Sequence, residues 1–227
     1  MLNSSTGSSS FGIYEGLRIL IPGYYLTFIL WWFFQLTLRM TADYFPVEIP
    51  FVAFVLFGLI GGILLYATEG SKKRKAFREN QPSAYLLELS RTIGVQPPLE
   101  EKDAQHLYFF ILNSYVPSSF HQRIFFFGMV FHVLTTIRRI TLWIGIMSLG
   151  VILLHLTAGF PPKYDPAMAY FMCLSFALYL ITLWYNKADR KMQENYQDQI
   201  QWLKLNQKLV LYILQHREAP ISFAGRE

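Results

Sequence analysis

The five histidines are the residues of this sequence whose chemistry would suit a metal centre or acid–base catalysis. Consecutive histidines are at least eleven residues apart, and the two nearest would lie about three turns apart on one helix, too far to share an ion. The motifs H-E-x-x-H, C-x-x-C and G-x-S-x-G do not occur, nor does a glycine-rich phosphate loop. We therefore predict no catalytic residue, no metal site and no cofactor. The histidines are His106, His121, His132, His155 and His216.

A second group of side chains would suit chemistry on lipid. His121, Arg123, His132 and Arg138 fall in one mostly apolar stretch, and a membrane-interface enzyme would use groups of these types. Cationic groups in such a stretch also occur where a helix is buried or lies along the interface. Because their spacing specifies no reaction, we favour a protein that is not an enzyme.

The cationic residues are concentrated in two parts of the chain. Of the 20 lysines and arginines, 17 lie within residues 68–139 and 186–227. Cationic runs beside apolar segments remain on the cytoplasmic side of a membrane and attract anionic lipid head groups. Contact with nucleic acid is the least favoured use of these residues. Those predicted to set the topology or to contact anionic lipid are Lys72, Lys73, Arg74, Lys75, Arg78, Arg138 and Arg139.

Four long apolar segments predict that the chain crosses a membrane four times. None of them contains Asp, Glu, Lys or Arg, and each is close to the roughly 20 residues that a helix needs to cross about 30 Å of hydrocarbon. The whole sequence is 53% hydrophobic and 15% charged, a mixture typical of membrane helices joined to a polar part. Residues 120–137 are an alternative third span. The four predicted spans are residues 19–38, 50–68, 140–157 and 167–185.

The sequence therefore predicts an all-α, polytopic membrane protein with its four transmembrane helices in two hairpins, at residues 17–69 and 138–185. A flexible N-terminus would precede the first hairpin at residues 1–16. A helical cytoplasmic insertion, which includes an interfacial helix, would separate the hairpins at residues 70–137. A cytoplasmic extension of the last helix at 186–218 and a tail at 219–227 would follow. In this topology both termini are cytoplasmic.

Helix boundaries are marked most clearly in the polar insertion. Residues 81–83 predict one helix start, and residues 97–101 predict another, because carboxylates stabilise the first turn of a helix. Pro117 predicts a break before the stretch that leads into the third span. No Gly or Pro occurs between Ala167 and Ala219, which predicts a single helix of about 50 residues.

Two patterns predict contacts between helices. Gly58 and Gly62 are four residues apart, a spacing that lets the second span pack closely on the first span or on a second copy. After the fourth span, apolar residues and Gln207 recur at alternating intervals of four and three, as in a coiled-coil seam. The seam would pack on the insertion or mediate self-association. Its apolar members are Tyr196, Ile200, Leu203, Val210 and Leu214.

These features favour a non-enzymatic, oligomeric integral membrane protein. Its cytoplasmic helices would receive a signal or a protein partner, and its spans would respond by changing the permeability of the membrane. The first alternative is a scaffold or accessory subunit that anchors a soluble partner to the bilayer. The second alternative is the lipid-directed enzyme described above.

Overall fold

The computed structural model describes residues 6–41, 48–76, 81–184 and 187–216, with side chains from residues 12–41, 48–68, 81–184 and 189–216. No strand occurs within these ranges, so the predicted all-α class is confirmed. The helices are α1 (Thr6–Thr41), α2 (Phe51–Ala76), α3 (Pro82–Ile93), α4 (Glu101–Tyr115), α5 (Ser118–Ala158), α6 (Pro166–Trp184), α7 (Lys187–Leu205) and α8 (Gln207–Gln215).

Four helical stretches of the described chain are long and apolar enough to cross a membrane. Their number agrees with the four spans predicted from the sequence, and their length and composition are those of membrane-crossing helices. The second stretch is the least covered by the rest of the chain, with 11% of its most apolar part buried. The stretches are Gly12–Thr41, Phe51–Thr68, Ser118–Ala158 and Pro166–Leu205.

Two of the apolar helices are longer than the sequence suggested. Helix α1 begins at Thr6, so residues 6–16 are helical where a flexible N-terminus was expected. Extending an existing helix by one residue costs far less than nucleating a new one. Helix α5 is continuous over 41 residues, or about 60 Å, and contains both segments considered for the third span. The predicted interfacial helix and the predicted third span are therefore parts of one helix, and which part crosses the membrane stays a prediction.

The helix starts of the insertion agree with the sequence. Helix α3 begins at Pro82, and α4 begins at Glu101 with Asp103 also in its first turn. Gly94 ends α3 in the left-handed conformation (φ 70°), and its N–H donates to the Arg91 carbonyl. Helix α5 begins at Ser118, directly after the predicted break.

The single long helix predicted from Ala167 onward is not observed. Helix α7 ends at Leu205, and Asn206 leaves helical geometry with φ −100° and ψ 27° before α8 begins. The Trp202 carbonyl oxygen accepts from both the Asn206 N–H at 3.0 Å and the Asn206 side-chain amide at 2.9 Å. Residues 185–186 and 217–219, which the prediction also covered, lie outside the described residues.

The chain divides into two compact units. We call Met1–Lys72 with Phe125–Asp189 the span unit, and Lys73–Ile124 with Arg190–Glu227 the polar unit. Residues 125–137, which were predicted to belong to the insertion, lie in the span unit.

The core of the span unit is formed by α1, α5 and α6. Buried aliphatic and aromatic side chains fill it, and the Tyr25 hydroxyl forms a 2.8 Å hydrogen bond with the Thr141 hydroxyl between α1 and α5. Ser148 and Ser175 are buried, and each donates to the carbonyl four residues earlier in its own helix, which satisfies the hydroxyl without a partner helix. The core residues are Ile29, Phe33, Leu36, Met40, Ile140, Ile144, Met168 and Phe171.

Helix α2 packs on α1 through glycine. A Cβ on Gly23 would lie 2.1 Å from the Gly58 carbonyl oxygen and 2.7 Å from the Gly62 nitrogen, so the two backbones touch. A Cβ on Gly58 would lie 2.4 Å from the Tyr24 ring, and one on Gly62 would lie 2.3 Å from the Ile19 carbonyl oxygen. Of the two predicted uses of the Gly58–Gly62 spacing, the structure shows packing on the protein's own first helix.

The polar unit has a separate hydrophobic core. It joins α3 and α4 to α7 and α8, two regions that are separated in sequence by the third and fourth spans. All of its core side chains are 7% exposed or less. They are Leu86, Leu99, Ala104, Ile111, Leu203, Val210 and Leu214.

Replacing Gly23 by alanine should destabilise the span unit. Because the added methyl would overlap the backbone of α2, we expect Gly23→Ala to lower the free energy of unfolding by about 1–3 kcal/mol. Gly150→Ala in α5 is the matched control, since nothing lies within 4 Å of its new Cβ, and it should be neutral or slightly stabilising. Denaturant unfolding of the full chain in detergent, followed by circular dichroism, measures both. Equal stability of the two variants would disprove close backbone packing at Gly23.

Candidate functional sites

Arg138 of α5 contacts the C-terminal end of α6. Its Nη2 donates to the Thr182 carbonyl oxygen at 3.0 Å, and its Nη1 lies 3.5 Å from Oδ2 of Asp189 in the first turn of α7. The last carbonyls of a helix carry partial negative charge, so a cation is stabilised there. The side chain is only 15% exposed. Arg138 therefore joins α5 to the end of the fourth span.

Arg139 lines an apolar groove in the span unit. The groove has a volume of about 290 Å³ and lies among α1, α2 and α5. Leu26 and Leu30 of α1 form one wall, and Leu65 and Thr68 of α2 form another. The α5 wall consists of Arg139 followed by Ile140, Trp143, Ile144 and Met147.

The cationic run after the second span lies partly outside the described residues. The backbone of α2 continues to Ala76 and so includes Lys72, Lys73, Arg74 and Lys75, but their side chains are not described. Arg78 lies wholly outside the described residues. Contact of this run with anionic lipid, or its role as a topology signal, stays a prediction.

A charged cluster near the start of α1 was missed in the sequence. Arg18 pairs with Glu15, and the Tyr66 hydroxyl of α2 donates to Glu15 Oε2 at 2.9 Å. Gly128 of α5 leaves room for Arg18, because a Cβ there would lie 2.7 Å from the Arg18 Nη2. The i,i+3 spacing of Glu15 and Arg18 was the available signal, but Tyr66 and Gly128 are far from them in sequence. The cluster connects three helices of the span unit.

The turn before α6 is tied to the end of α1. Arg39 Nε lies 3.2 Å from Asp165 Oδ2, and the Lys163 N–H donates to the Met40 carbonyl at 3.0 Å. Asp165 Oδ1 also accepts from the Ala167 N–H at 2.9 Å, which satisfies a free donor at the start of α6. These contacts agree with the packing of α1 on α6.

The predicted seam residues lie in the polar unit, and three of them are in its core. Leu203, Val210 and Leu214 are at most 1% exposed, whereas Gln207 is exposed. Tyr196 and Ile200 are partly buried. The structure thus shows packing on the insertion for the three buried residues. Self-association through the seam stays a prediction that would have to use the outer residues.

Polar residues complete the buried face of α7. Asn195 and Gln199 are 4% exposed, and the Tyr108 hydroxyl of α4 donates to Gln199 Oε1. The Asn195 amide donates to the Ile124 carbonyl at 3.4 Å. Burial raises the pKa of Tyr108 above its ordinary value, and the nearby Tyr196 adds to the shift. The phenol therefore stays protonated and keeps its role as a donor.

The residues considered for lipid chemistry have structural partners. His121 Nε2 lies 3.0 Å from the Asn113 side-chain oxygen, and Arg123 donates to Asp198 at 3.0 Å, both within the polar unit. Arg138 has the partners described above, and His132 is partly buried beside the Phe131 ring. Among the described residues, no three His, Cys, Asp or Glu side chains are grouped as a metal site would require.

Helix α4 presents aromatic side chains at the surface. Phe109, Phe110 and Tyr115 are 50%, 51% and 44% exposed. The Phe110 and Tyr115 rings lie edge to face with centroids 6.0 Å apart. We call these three residues the α4 aromatic face. Exposed aromatic clusters of this kind are typical of binding surfaces.

Comparison of this chain with known protein families, with curated proteins and with solved structures finds no match.

Replacing Tyr108 by phenylalanine should weaken the polar unit and change its response to alkali. The variant leaves the buried Gln199 oxygen without its donor, which should cost about 1–3 kcal/mol at neutral pH. Because the folded pKa of Tyr108 is raised, its contribution is complete below about pH 10, the ordinary phenol pKa, and is lost as pH rises further. Tyr108→Phe should therefore lose less stability than the wild type above that pH.

Denaturant unfolding of the full chain in detergent, at a series of pH values up to about 11, measures both effects. Tyr212→Phe is the control, since this side chain is 60% exposed and its removal should change neither quantity. If the free energy of unfolding falls equally with pH in the wild type and in Tyr108→Phe, ionisation of Tyr108 does not contribute to the loss, and the prediction is wrong.

Proposed function

We propose that this protein is a non-enzymatic integral membrane protein whose polar unit lies in the cytoplasm and receives a soluble protein partner on the α4 aromatic face. The spans anchor the polar unit at the bilayer. The proposal joins the receiving role and the scaffold role that the sequence suggested.

The distribution of cations supports the cytoplasmic position of the polar unit. The two cation-rich regions contain this unit, and residues 42–50 between the first two spans contain no Lys or Arg. The connection between the third and fourth spans contains one cationic residue, Lys163. Since cationic flanks stay in the cytoplasm, both ends of this chain would be cytoplasmic as well.

The observation that carries the proposal is the contrast between a closed core and an exposed aromatic face within one helix. Ile111 and Leu112 of α4 are at most 2% exposed, in the interior of the polar unit. Phe109 and Phe110 directly precede them and are half exposed. A folded unit that already has its own core gains nothing in water from these rings. Aromatic side chains at the centre of an interface often dominate binding energy, which is the use we assign to them.

Oligomerisation with a change in permeability stays a hypothesis, and the structure gives it less support than the sequence patterns did. The Gly58–Gly62 spacing is used within the chain, and three seam residues are buried in the polar unit. These were the two patterns that motivated self-association. The hypothesis of a lipid-directed enzyme also loses support, because Arg123 and Arg138 form ion pairs.

The proposal is tested by placing a photoreactive p-benzoylphenylalanine at position 110 of the full chain in its native membrane. We expect a discrete crosslink to one soluble protein. The same probe at Glu88, an exposed residue of α3, should give no such product. Replacing Phe109 and Phe110 by serine should reduce co-isolation of the crosslinked protein about thirtyfold, as loss of an interface hot spot would.

Crosslinks from position 110 that reach only lipid, or only a second copy of the chain, would contradict the proposal. Equal crosslinking from positions 88 and 110 would also contradict it, since the α4 aromatic face would then have no preference. Both aromatic residues are half exposed, so their replacement should leave the fold intact. The unchanged unfolding midpoint of the double variant is the control for this point.

A further inference from the structure

We propose that the groove among α1, α2 and α5 binds one acyl chain of an anionic phospholipid, with Arg139 contacting the lipid phosphate. The site lies wholly in the span unit. It does not depend on the partner proposed for the polar unit, and neither result decides the other.

The shape of the groove suits one acyl chain. Its α5 wall extends from Arg139 to Met147, eight residues or about 12 Å along the helix. One leaflet of a bilayer contributes about half of the 30 Å hydrocarbon thickness, so the groove covers most of the length of one chain. Leucine, isoleucine, methionine and tryptophan side chains form nearly all of the lining, and the volume is about 290 Å³.

The polar lining residues are at one end of the groove. Tyr25 bonds to Thr141, and Arg18 contacts α5 at Gly128, so α1 and α5 run in the same direction. Tyr66 bonds to Glu15, whereas Gly23 meets Gly58, so α2 runs in the opposite direction to both. The first α5 residue of the groove and the last α2 residue therefore share an end.

These two residues are Arg139 and Thr68. The side chain of a helical arginine leans toward the N-terminus of its helix, which directs Arg139 to this same end of α5. The groove thus has an apolar body and a cationic end at the boundary of the second span.

Charge complementarity selects the head group. A guanidinium binds phosphate with two parallel hydrogen bonds and keeps its charge at any physiological pH. A cation near the membrane surface adds to the attraction of an anionic lipid, and Arg139 is the charged residue of the lining. A zwitterionic lipid would find the same apolar walls but would gain less at the cationic end.

The open side of the groove supports lipid as the occupant. Trp143 and Met147 of α5 are 60% and 43% exposed, and Leu64, beside the groove residue Leu65, is 60% exposed. In a spanning segment such residues face acyl chains. The occupant is therefore drawn from the surrounding leaflet and needs no passage from water.

The experiment uses the full chain in nanodiscs that contain phosphatidylglycerol and phosphatidylcholine with identical acyl chains. After transfer to mild detergent, native mass spectrometry counts the lipids that each protein molecule retains. We expect one retained lipid, enriched in phosphatidylglycerol about tenfold over its share of the bilayer, because the choline cation of phosphatidylcholine would be repelled by Arg139 while its phosphate is bound. Retention of both lipids in the bilayer ratio, or of a free fatty acid instead, would overturn the proposal.

Two variants separate the head-group contact from the apolar groove. Arg139→Gln should retain lipid without the tenfold preference, whereas Lys163→Gln, which removes a cation far from the groove, should keep it. Leu65→Trp should fill the groove and abolish retention, whereas Leu64→Trp adds the same bulk on the exposed side and should not. Preference that persists in Arg139→Gln would overturn the assignment of Arg139 as the residue that selects the anionic head group. The wild-type ratio decides the proposal if a variant fails to fold.

Discussion

Hydrocarbon offers no hydrogen bond to a peptide group, and the architecture of the span unit depends on this constraint. Each crossing segment forms its backbone hydrogen bonds within its own helix. The hydroxyls of buried Ser148 and Ser175 donate to carbonyl oxygens four residues earlier in the same helix. Without a hydrophobic force between helices in lipid, close packing must supply the attraction. The contact of Gly23 with Gly58 and Gly62 meets this need for α1 and α2, while aliphatic and aromatic side chains do so for α1, α5 and α6.

Three ion pairs occur among the described residues of this unit. Arg18 pairs with Glu15, Arg39 with Asp165, and Arg138 with Asp189. Each pair joins different helices or extends to a third, so the same contact that reduces the cost of burying charge also fixes helix positions. Arg139, the next residue after Arg138 in the same helix, lines the apolar groove of this unit.

The features that composition and local signals determine were predictable. Long uncharged segments gave the number of spans, and Pro82, Glu101 and Ser118 gave helix starts. The length of α5 was not predictable, because an apolar run without a breaker shows where a helix continues and not where lipid ends. The buried polar residues of α7 were not predicted, because a count of apolar spacing passes over Asn195 and Gln199, which bond to the Ile124 carbonyl and to the Tyr108 hydroxyl. The Glu15–Arg18–Tyr66 cluster depends on packing between distant helices, which no local pattern contains.

The central claim is that lipid surrounds the four long helices and that the polar unit lies on one side of it, in the cytoplasm. Cys173 is the single cysteine, so Cys173→Ser gives a background for individual cysteines at Gln96 and Lys163, both exposed. In intact cells a membrane-impermeant maleimide should label position 163 and should label position 96 only after the membrane is opened. Labelling of both positions from the same side, in intact or inverted membranes, would contradict the account.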